Sequence, residues 1–305
     1  MRVDTHVHLV PEGYRAIHDQ RELSPMPLPP WDPDMTAAFM DRHRIDAAVM
    51  SLAPPGVWFG DAGLAAELAR IVNEATAELV RSAPGRYAGL AVLPLPDVDA
   101  ALAELAYALD VLGLDGVALL SNTGGVYPGD PRVAPVWSEL DRRGAYVLLH
   151  PAAPAAGPAL PEHPIWLYEF PFDTTRAVIN LIYSGTLEGD GGLRLQIAHL
   201  GGTAPFLAHR IASLAVREPE KAAAAPSGPL PALARCWFDT GLSNHRTAIS
   251  ATADLVPFER IVFGTDWPYA ALAESGDPTP ELDYLGERRA QLEAENARAL
   301  VPRLY

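Results

Sequence analysis

Two histidines separated by one residue, His6 and His8, stand in the run Asp4-Thr5-His6-Val7-His8. In a β-strand residues i and i+2 project to one face, so the two imidazoles point the same way. Convergent neutral imidazoles supply half of a divalent-metal site. A lone His-x-His equally suits a polar patch on an exposed strand, and the rest of the chain decides between the two. His150 ends the apolar run Ala145-Tyr146-Val147-Leu148-Leu149 and precedes Pro151. His199 ends Leu193-Arg194-Leu195-Gln196-Ile197-Ala198 and precedes Leu200-Gly201-Gly202. Asp266 closes Ile261-Val262-Phe263-Gly264-Thr265, where a carboxylate is costly unless it is exposed, paired or bound to a metal. His6, His8, His150 and Asp266 thus offer the nitrogen and oxygen donors of one divalent ion. Zinc suits them, and manganese, iron or cobalt is acceptable. A catalytic ion keeps a position open for water or substrate. His199 is a further ligand or an acid/base beside the ion; Asp266 ligates, carries a proton, or does both in turn.

Eight short apolar or β-branched runs can position these residues: Val3–His8, Ala47–Leu52, Tyr87–Leu93, Gly116–Leu120, Tyr146–His150, Leu193–His199, Cys236–Thr240 and Ile261–Thr265. Between them lie Ala/Leu/Glu/Arg-rich stretches, among them Ala65–Arg81, Ala100–Leu112, Thr174–Ser184 and Thr203–Val216. Strands alternating with helices of this length predict βαβ units and a parallel sheet. Eight repeats in one chain of 305 residues fit a (β/α)8 TIM barrel, read as a single domain over 1–305. An open doubly wound sheet would carry a Gly-rich phosphate turn after its first strand, and none is present. The candidate residues then fall at the ends of strands one, five, six and eight, on the lip where barrel active sites are built.

Two proline-rich segments, Pro11–Pro33 with Trp31 and Pro151–Pro171 with Trp166 and Tyr168, read as long loop insertions after strands one and five that wall a pocket. Asp173 and Thr174 read as the N-cap of a helix starting at Thr174. Ala222–Pro231 reads as a solvent loop. Phe172, Trp267 and Tyr269 are the aromatics placed to pack against a flat substrate. His18, His43, His163, His209 and His245 lack the strand-end setting and stay outside the metal set.

The net charge is −15, with 23 Lys and Arg against 38 Asp and Glu, and no basic cluster offsets it. Such a chain is a poor partner for nucleic acid or an anionic membrane. Apolar residues make up 49% and charged residues 20%, a globular composition. No apolar run reaches membrane-spanning length and no secretory leader pattern precedes the first strand, so the expected location is the cytoplasm. Cys236, the single cysteine, lies in an apolar run and reads as a buried structural thiol.

The chain resembles the amidohydrolase superfamily, in its amidohydrolase-related decarboxylase branch, which includes aminocarboxymuconate-semialdehyde, γ-resorcylate and 6-methylsalicylate decarboxylases. Four pieces carry the resemblance: Asp4-Thr5-His6-Val7-His8, Leu149-His150-Pro151, His199-Leu200-Gly201-Gly202-Thr203-Ala204-Pro205-Phe206 and Phe263-Gly264-Thr265-Asp266-Trp267-Pro268. With Phe172-Asp173-Thr174-Thr175, they look most like the 6-methylsalicylate-type members. The resemblance implies that His6, His8 and His150 bind one metal, that Asp266 is a ligand or proton donor, and that His199 assists as acid/base. Binuclear members of the superfamily bridge their ions with a carboxylated lysine; Lys221 is the only lysine here and stands in no proposed strand, so one ion is expected. The resemblance also implies a homodimer and a small-molecule carboxylic acid as substrate.

The same residues serve two reactions. In a decarboxylase of a small hydroxyaryl or enoic acid the ion anchors the substrate, and Asp266 or His199 protonates the carbon that loses carbon dioxide. In a hydrolase of an ester, lactone or amide the ion lowers the pKa of bound water toward ~7, with His199 and Asp266 managing the proton. A non-catalytic metal-binding barrel is the third reading, disfavoured because every position of the set is intact. The resemblance favours decarboxylation.

Overall fold

Strand and helix alternate along the whole chain. The computed structural model describes residues 1–189, 192–270, 272–273 and 276–305. β1 (Val3–His8) leads through α1 (Glu12–Gln20) and α2 (Pro33–His43) to β2 (Ala47–Ser51). Next come α3 (Ala62–Ser82), β3 (Tyr87–Val92), α4 (Val98–Ala106), β4 (Gly116–Leu120), α5 (Ala134–Arg142), β5 (Tyr146–His150), α6 (Ile165–Tyr183) and β6 (Arg194–Ile197). Three helices follow β6: α7 (Ala204–Ala212), α8 (Leu214–Arg217) and α9 (Pro229–Ala234). The chain ends through β7 (Trp237–Asp239), α10 (Arg246–Ala253), β8 (Ile261–Val262) and α11 (Arg288–Glu293).

The eight strands pair in parallel in chain order, β1 to β8. Backbone bonds then close the sheet on itself: Thr5 N–H donates to the Phe263 carbonyl at 2.9 Å, Asp266 N–H to His6 at 2.9 Å and His8 N–H to Trp267 at 2.8 Å. The expected (β/α)8 barrel is therefore the fold. Its second apolar layer, between strands and helices, is built from residues such as Leu68, Val72, Leu105, Leu140, Leu181 and Phe263.

Local sequence explains where elements depart from expectation. Pro11–Pro33 is not one long loop, because α1 occupies Glu12–Gln20. No proline falls between Pro11 and Pro25, and Tyr14 and His18 are buried one helical turn apart. After β5 the irregular stretch stops at Pro164, and α6 begins at Ile165 rather than Thr174. Pro171 lies inside α6, and the Thr174 and Thr175 hydroxyls donate back to the Phe170 and Pro171 carbonyls. Asp173 is consequently an interior helical residue and not a cap. Ala222–Pro231 is likewise more than a solvent loop, since Ala222, Ala225 and Pro229 are buried and α9 starts within it. No described helix is long and apolar enough to cross a membrane.

Candidate metal centre

The first strand is irregular just where its two histidines begin. Asp4 pairs with Ala48 but Val7 with Met50, so β1 carries one extra residue between these points. Such a bulge breaks the two-residue alternation. Thr5 stays below, in contact with Gln196 Nε2 at 3.2 Å, while His6 and His8 both turn to the upper lip. Asp4 fixes this bend: its carboxylate accepts from the His6 and Thr265 N–H groups, both at 3.1 Å, and from the Thr265 hydroxyl at 2.6 Å. Burial pushes Asp4 up to about 7.

His6, His8, His150 and Asp266 converge, with one donor atom from each lying within 4.8 Å of the others, and all four are buried. His6 Nε2 and His8 Nε2 are 3.0 Å apart, and Asp266 Oδ1 lies 3.2, 2.9 and 3.8 Å from the Nε2 atoms of His6, His8 and His150. In each ring Nδ1 is engaged by an acceptor: Asp239 Oδ1 at 3.0 Å for His6, the Ser51 carbonyl at 3.3 Å for His8 and the Pro151 carbonyl at 2.8 Å for His150. These contacts put the ring proton on Nδ1 and turn the Nε2 lone pairs toward one another. Lone pairs facing each other beside a carboxylate call for a cation. His150 Nε2 makes the same point, being buried with no hydrogen-bond partner. The donor set and its orientation therefore fit one divalent ion.

His199 lies against the same cluster, its ring centroid 5.0 Å from that of His6 and 5.4 Å from that of His150. Its Nδ1 meets the Gly241 carbonyl at 2.8 Å. His199 and Asp266 both adopt left-handed backbone, with φ of 54° and 64°. Non-glycine residues rarely do so, and the surrounding structure must hold them there.

Asp239 is the functional residue that the sequence reading missed. It closes β7 and sits under the cluster, fully buried. Its Oδ1 accepts from His6 Nδ1, and from the N–H groups of His199 at 3.2 Å and Gly241 at 3.0 Å, while Oδ2 takes Gln196 Nε2 at 2.8 Å. The signal was present: Cys236-Trp237-Phe238-Asp239 is an apolar run closed by a carboxylate, as at Asp266.

Electrostatics follow from this crowding. Burial lowers His8 and His199 and takes His150 down to about 4. Burial alone would lower His6 too, but the Asp239 and Asp266 carboxylates outweigh it and hold it well above the ordinary range. Burial works to raise both carboxylates; the histidines around Asp266 hold it well below the usual range, and His6 helps hold Asp239 at about 2. The two carboxylates thus stay anionic and favour positive charge at His6 between them.

The aromatics divide. Tyr269 stands 5.5 Å from the His8 ring, with its hydroxyl 3.5 Å from the Pro54 carbonyl. Trp267 is stacked on Phe39 of α2, centroids 4.8 Å apart, in the layer outside the barrel. Phe172 is half exposed on α6, whereas Phe170 turns its ring toward His150, 6.5 Å away. On the same lip, over β2 to β5, lies a cavity of about 180 Å³ walled by Met26, Trp58, Leu93, Leu95, Leu120 and Asn122, among others. Pro54, Ala152 and Ala153 also line it, which sets it beside Tyr269 and His150; none of the cluster residues lines it.

A buried nitrogen-rich cation site at the strand ends of a closed βα barrel defines a metal-binding barrel of the hydrolase and lyase type. The chain belongs to the amidohydrolase family, whose sequence profile matches residues 3–303. It is 33% identical over 283 residues to the 6-methylsalicylic acid decarboxylase acuB of Aspergillus aculeatus, covering 88% of this chain and 85% of that protein. An amidohydrolase II crystal structure is 28% identical and superposes with a TM-score of 0.83 over 100% of this chain and 99% of that one. The 5-carboxyvanillate decarboxylase of Novosphingobium aromaticivorans, crystallised with manganese, shares the fold at 18% identity, with a TM-score of 0.85 over 98% of this chain and 95% of that one.

Proposed function

We propose that this protein is a metal-dependent decarboxylase of a small hydroxyaryl carboxylic acid, 6-methylsalicylate-like. The observation that carries this reading is a cation site beside a cavity with no charged lining residue among those described. A substrate lying there has its one anionic group at the cluster and an otherwise neutral ring in the cavity. A second carboxylate in the cavity would be buried without a cationic partner, which is costly. The relative in Aspergillus aculeatus, a 6-methylsalicylic acid decarboxylase, supports the same choice.

His6, His8, His150 and Asp266 hold the ion; three imidazole nitrogens with one carboxylate favour zinc, and manganese is the competing metal. When bound, the ion supplies a Lewis-acid anchor for the substrate carboxylate and its neighbouring oxygen. Asp266 and His199 are the two groups that carry a proton to the ring carbon. That carbon gains the proton, its bond to the carboxylate breaks, and carbon dioxide leaves as the electron pair restores the aromatic ring. Solvent replaces the proton consumed. Tyr269 borders the ring.

The test is carbon dioxide release from a panel of hydroxybenzoates by the metal-loaded protein, run in deuterium oxide. Deuterium at the carbon that lost carbon dioxide is expected, and Asp266→Asn should lose most turnover because an amide cannot deliver a carboxylic proton. Cleavage of esters, lactones or amides with no carbon dioxide from any aryl acid would overturn the reading in favour of a hydrolase. Elemental analysis should give one equivalent of metal per chain; two equivalents would refute the single-ion site. The homodimer rests on exposed Trp166, Leu167 and Phe172 on α6 beside Phe206, 84% exposed, on α7. A monomeric mass by light scattering would refute it.

A further inference from the structure

A fully buried carboxylate that the metal cluster does not use sits one layer behind His150. Asp173, inside α6, accepts hydrogen bonds from the Ser121 hydroxyl, from Asn122 Nδ2 at 2.8 Å and from the Tyr127 hydroxyl at 2.5 Å. Arg176 approaches at 3.4 Å. Ser121, also fully buried, directly follows β4, and its N–H donates to the His150 carbonyl at 2.8 Å.

Ser121 makes one more bond, and its partner is informative. Its Oγ accepts from the Ala152 N–H at 2.8 Å. That N–H belongs to the same peptide unit as the Pro151 carbonyl, which accepts from His150 Nδ1 at 2.8 Å. A peptide unit is a rigid plane whose N–H and C=O point in opposite directions. Anchoring the N–H therefore sets where the carbonyl points, and the carbonyl sets the rotation and tautomer of the His150 ring. A hydroxyl has one proton and two lone pairs. Asp173 accepts the proton, which turns a Ser121 lone pair toward Ala152.

We infer that Ser121 and Asp173 are positioning residues that act through the Pro151–Ala152 peptide to hold His150 Nε2 toward the metal. The inference rests on the metal reading of the cluster. The competing account is that Asp173 only staples α6 to the loops after β4, and Tyr127 separates the two. Tyr127 donates to the same carboxylate but lies off the route to His150.

The experiment is Zn²⁺ affinity by competition with a chelating dye, with the thermal midpoint of the metal-free protein read alongside. Ser121→Ala should weaken Zn²⁺ about 10- to 100-fold, the range for removing a group that orients a ligand. Ser121→Thr, which keeps the hydroxyl, should recover most of it, and Tyr127→Phe should hold wild-type affinity within about twofold. Asp173→Asn should follow Ser121→Ala; should it fail to fold, the serine pair decides alone. Equal Zn²⁺ affinity in Ser121→Ala and wild type would overturn the relay and leave the metal site standing. Equal losses in Ser121→Ala and Tyr127→Phe would also overturn it, in favour of the staple. No Zn²⁺ binding by the wild type would overturn the metal reading itself.

Discussion

At the scale of single residues, the cluster depends on which ring nitrogen faces inward, and that is decided by partners outside it. Asp239 is the most heavily engaged of these, accepting at once from His6 Nδ1, two backbone N–H groups and Gln196. Replacing it with asparagine keeps the size but removes the charge that favours a proton on His6 Nδ1. The Gln196 amide and the N–H donors then face a partner that can accept on only one side. Asp239→Asn should weaken zinc about 10- to 100-fold by chelator competition, comparable with other groups that orient a metal ligand. Unchanged affinity would mean that Asp239 only supports the floor of the barrel. Of the six polar residues at this centre, His150, His199 and Asp266 were legible because each ends an apolar run, and His6 and His8 because of their His-x-His spacing. Asp239 escaped because the apolar run before it, Cys236-Trp237-Phe238, is only three residues long.

At the scale of elements, the strands place these residues by approaching each other more closely than ordinary side chains permit. Gly264 is the second residue after β8, and a Cβ there would stand 2.8 Å from His6 Cβ and 3.1 Å from Asp239 Cβ. Those neighbours belong to barrel strands and cannot step aside cheaply. Gly264→Ala should lower stability by about 1–3 kcal/mol, the usual cost of overpacking, visible as a lower urea midpoint. It should also reduce metal retention, because the displaced atoms carry His6. A variant with wild-type stability and metal content would show that the wall can give. Helix boundaries were the least legible part of the chain. Pro171 looks like a stop signal in sequence, yet α6 runs through it, and the helical register then turns Phe170 rather than Phe172 toward His150. The prolines of the segment after β1 similarly concealed α1, which lies wholly between two of them. Strand positions were read better, since a buried strand announces itself by its apolar run.

At the scale of the whole molecule, the barrel keeps stability and chemistry at opposite ends, as this architecture generally does. The interior apolar layer consists of Val3, Ala47, Val49, Ala88, Leu90, Tyr146 and Leu148, many of them at the starts of their strands, and the C-terminal residues Leu300, Val301 and Leu304 pack against it from below. Arg194 secures that plug by donating to the Ala299 and Leu300 carbonyls at 3.1 and 2.7 Å. The metal cluster lies at the other end of the same strands, so the two regions share a scaffold, joined through Tyr146, Gln196 and Asp239. Leu300 is 1% exposed, and Leu300→Ala leaves a cavity that the closed strands cannot fill by collapsing. The cost should be about 2–5 kcal/mol, as for other buried leucines cut back to alanine. Below the unfolding transition, zinc affinity and turnover should stay within about twofold of wild type, because Leu300 packs at the opposite end of the strands from the cluster and distant sites add nearly independently. Denaturant unfolding of the metal-free protein measures the first quantity and chelator competition at low temperature the second. A large loss of metal affinity in the still-folded variant would show that strain passes along the strands, and the separation of the two ends would then be only geometric.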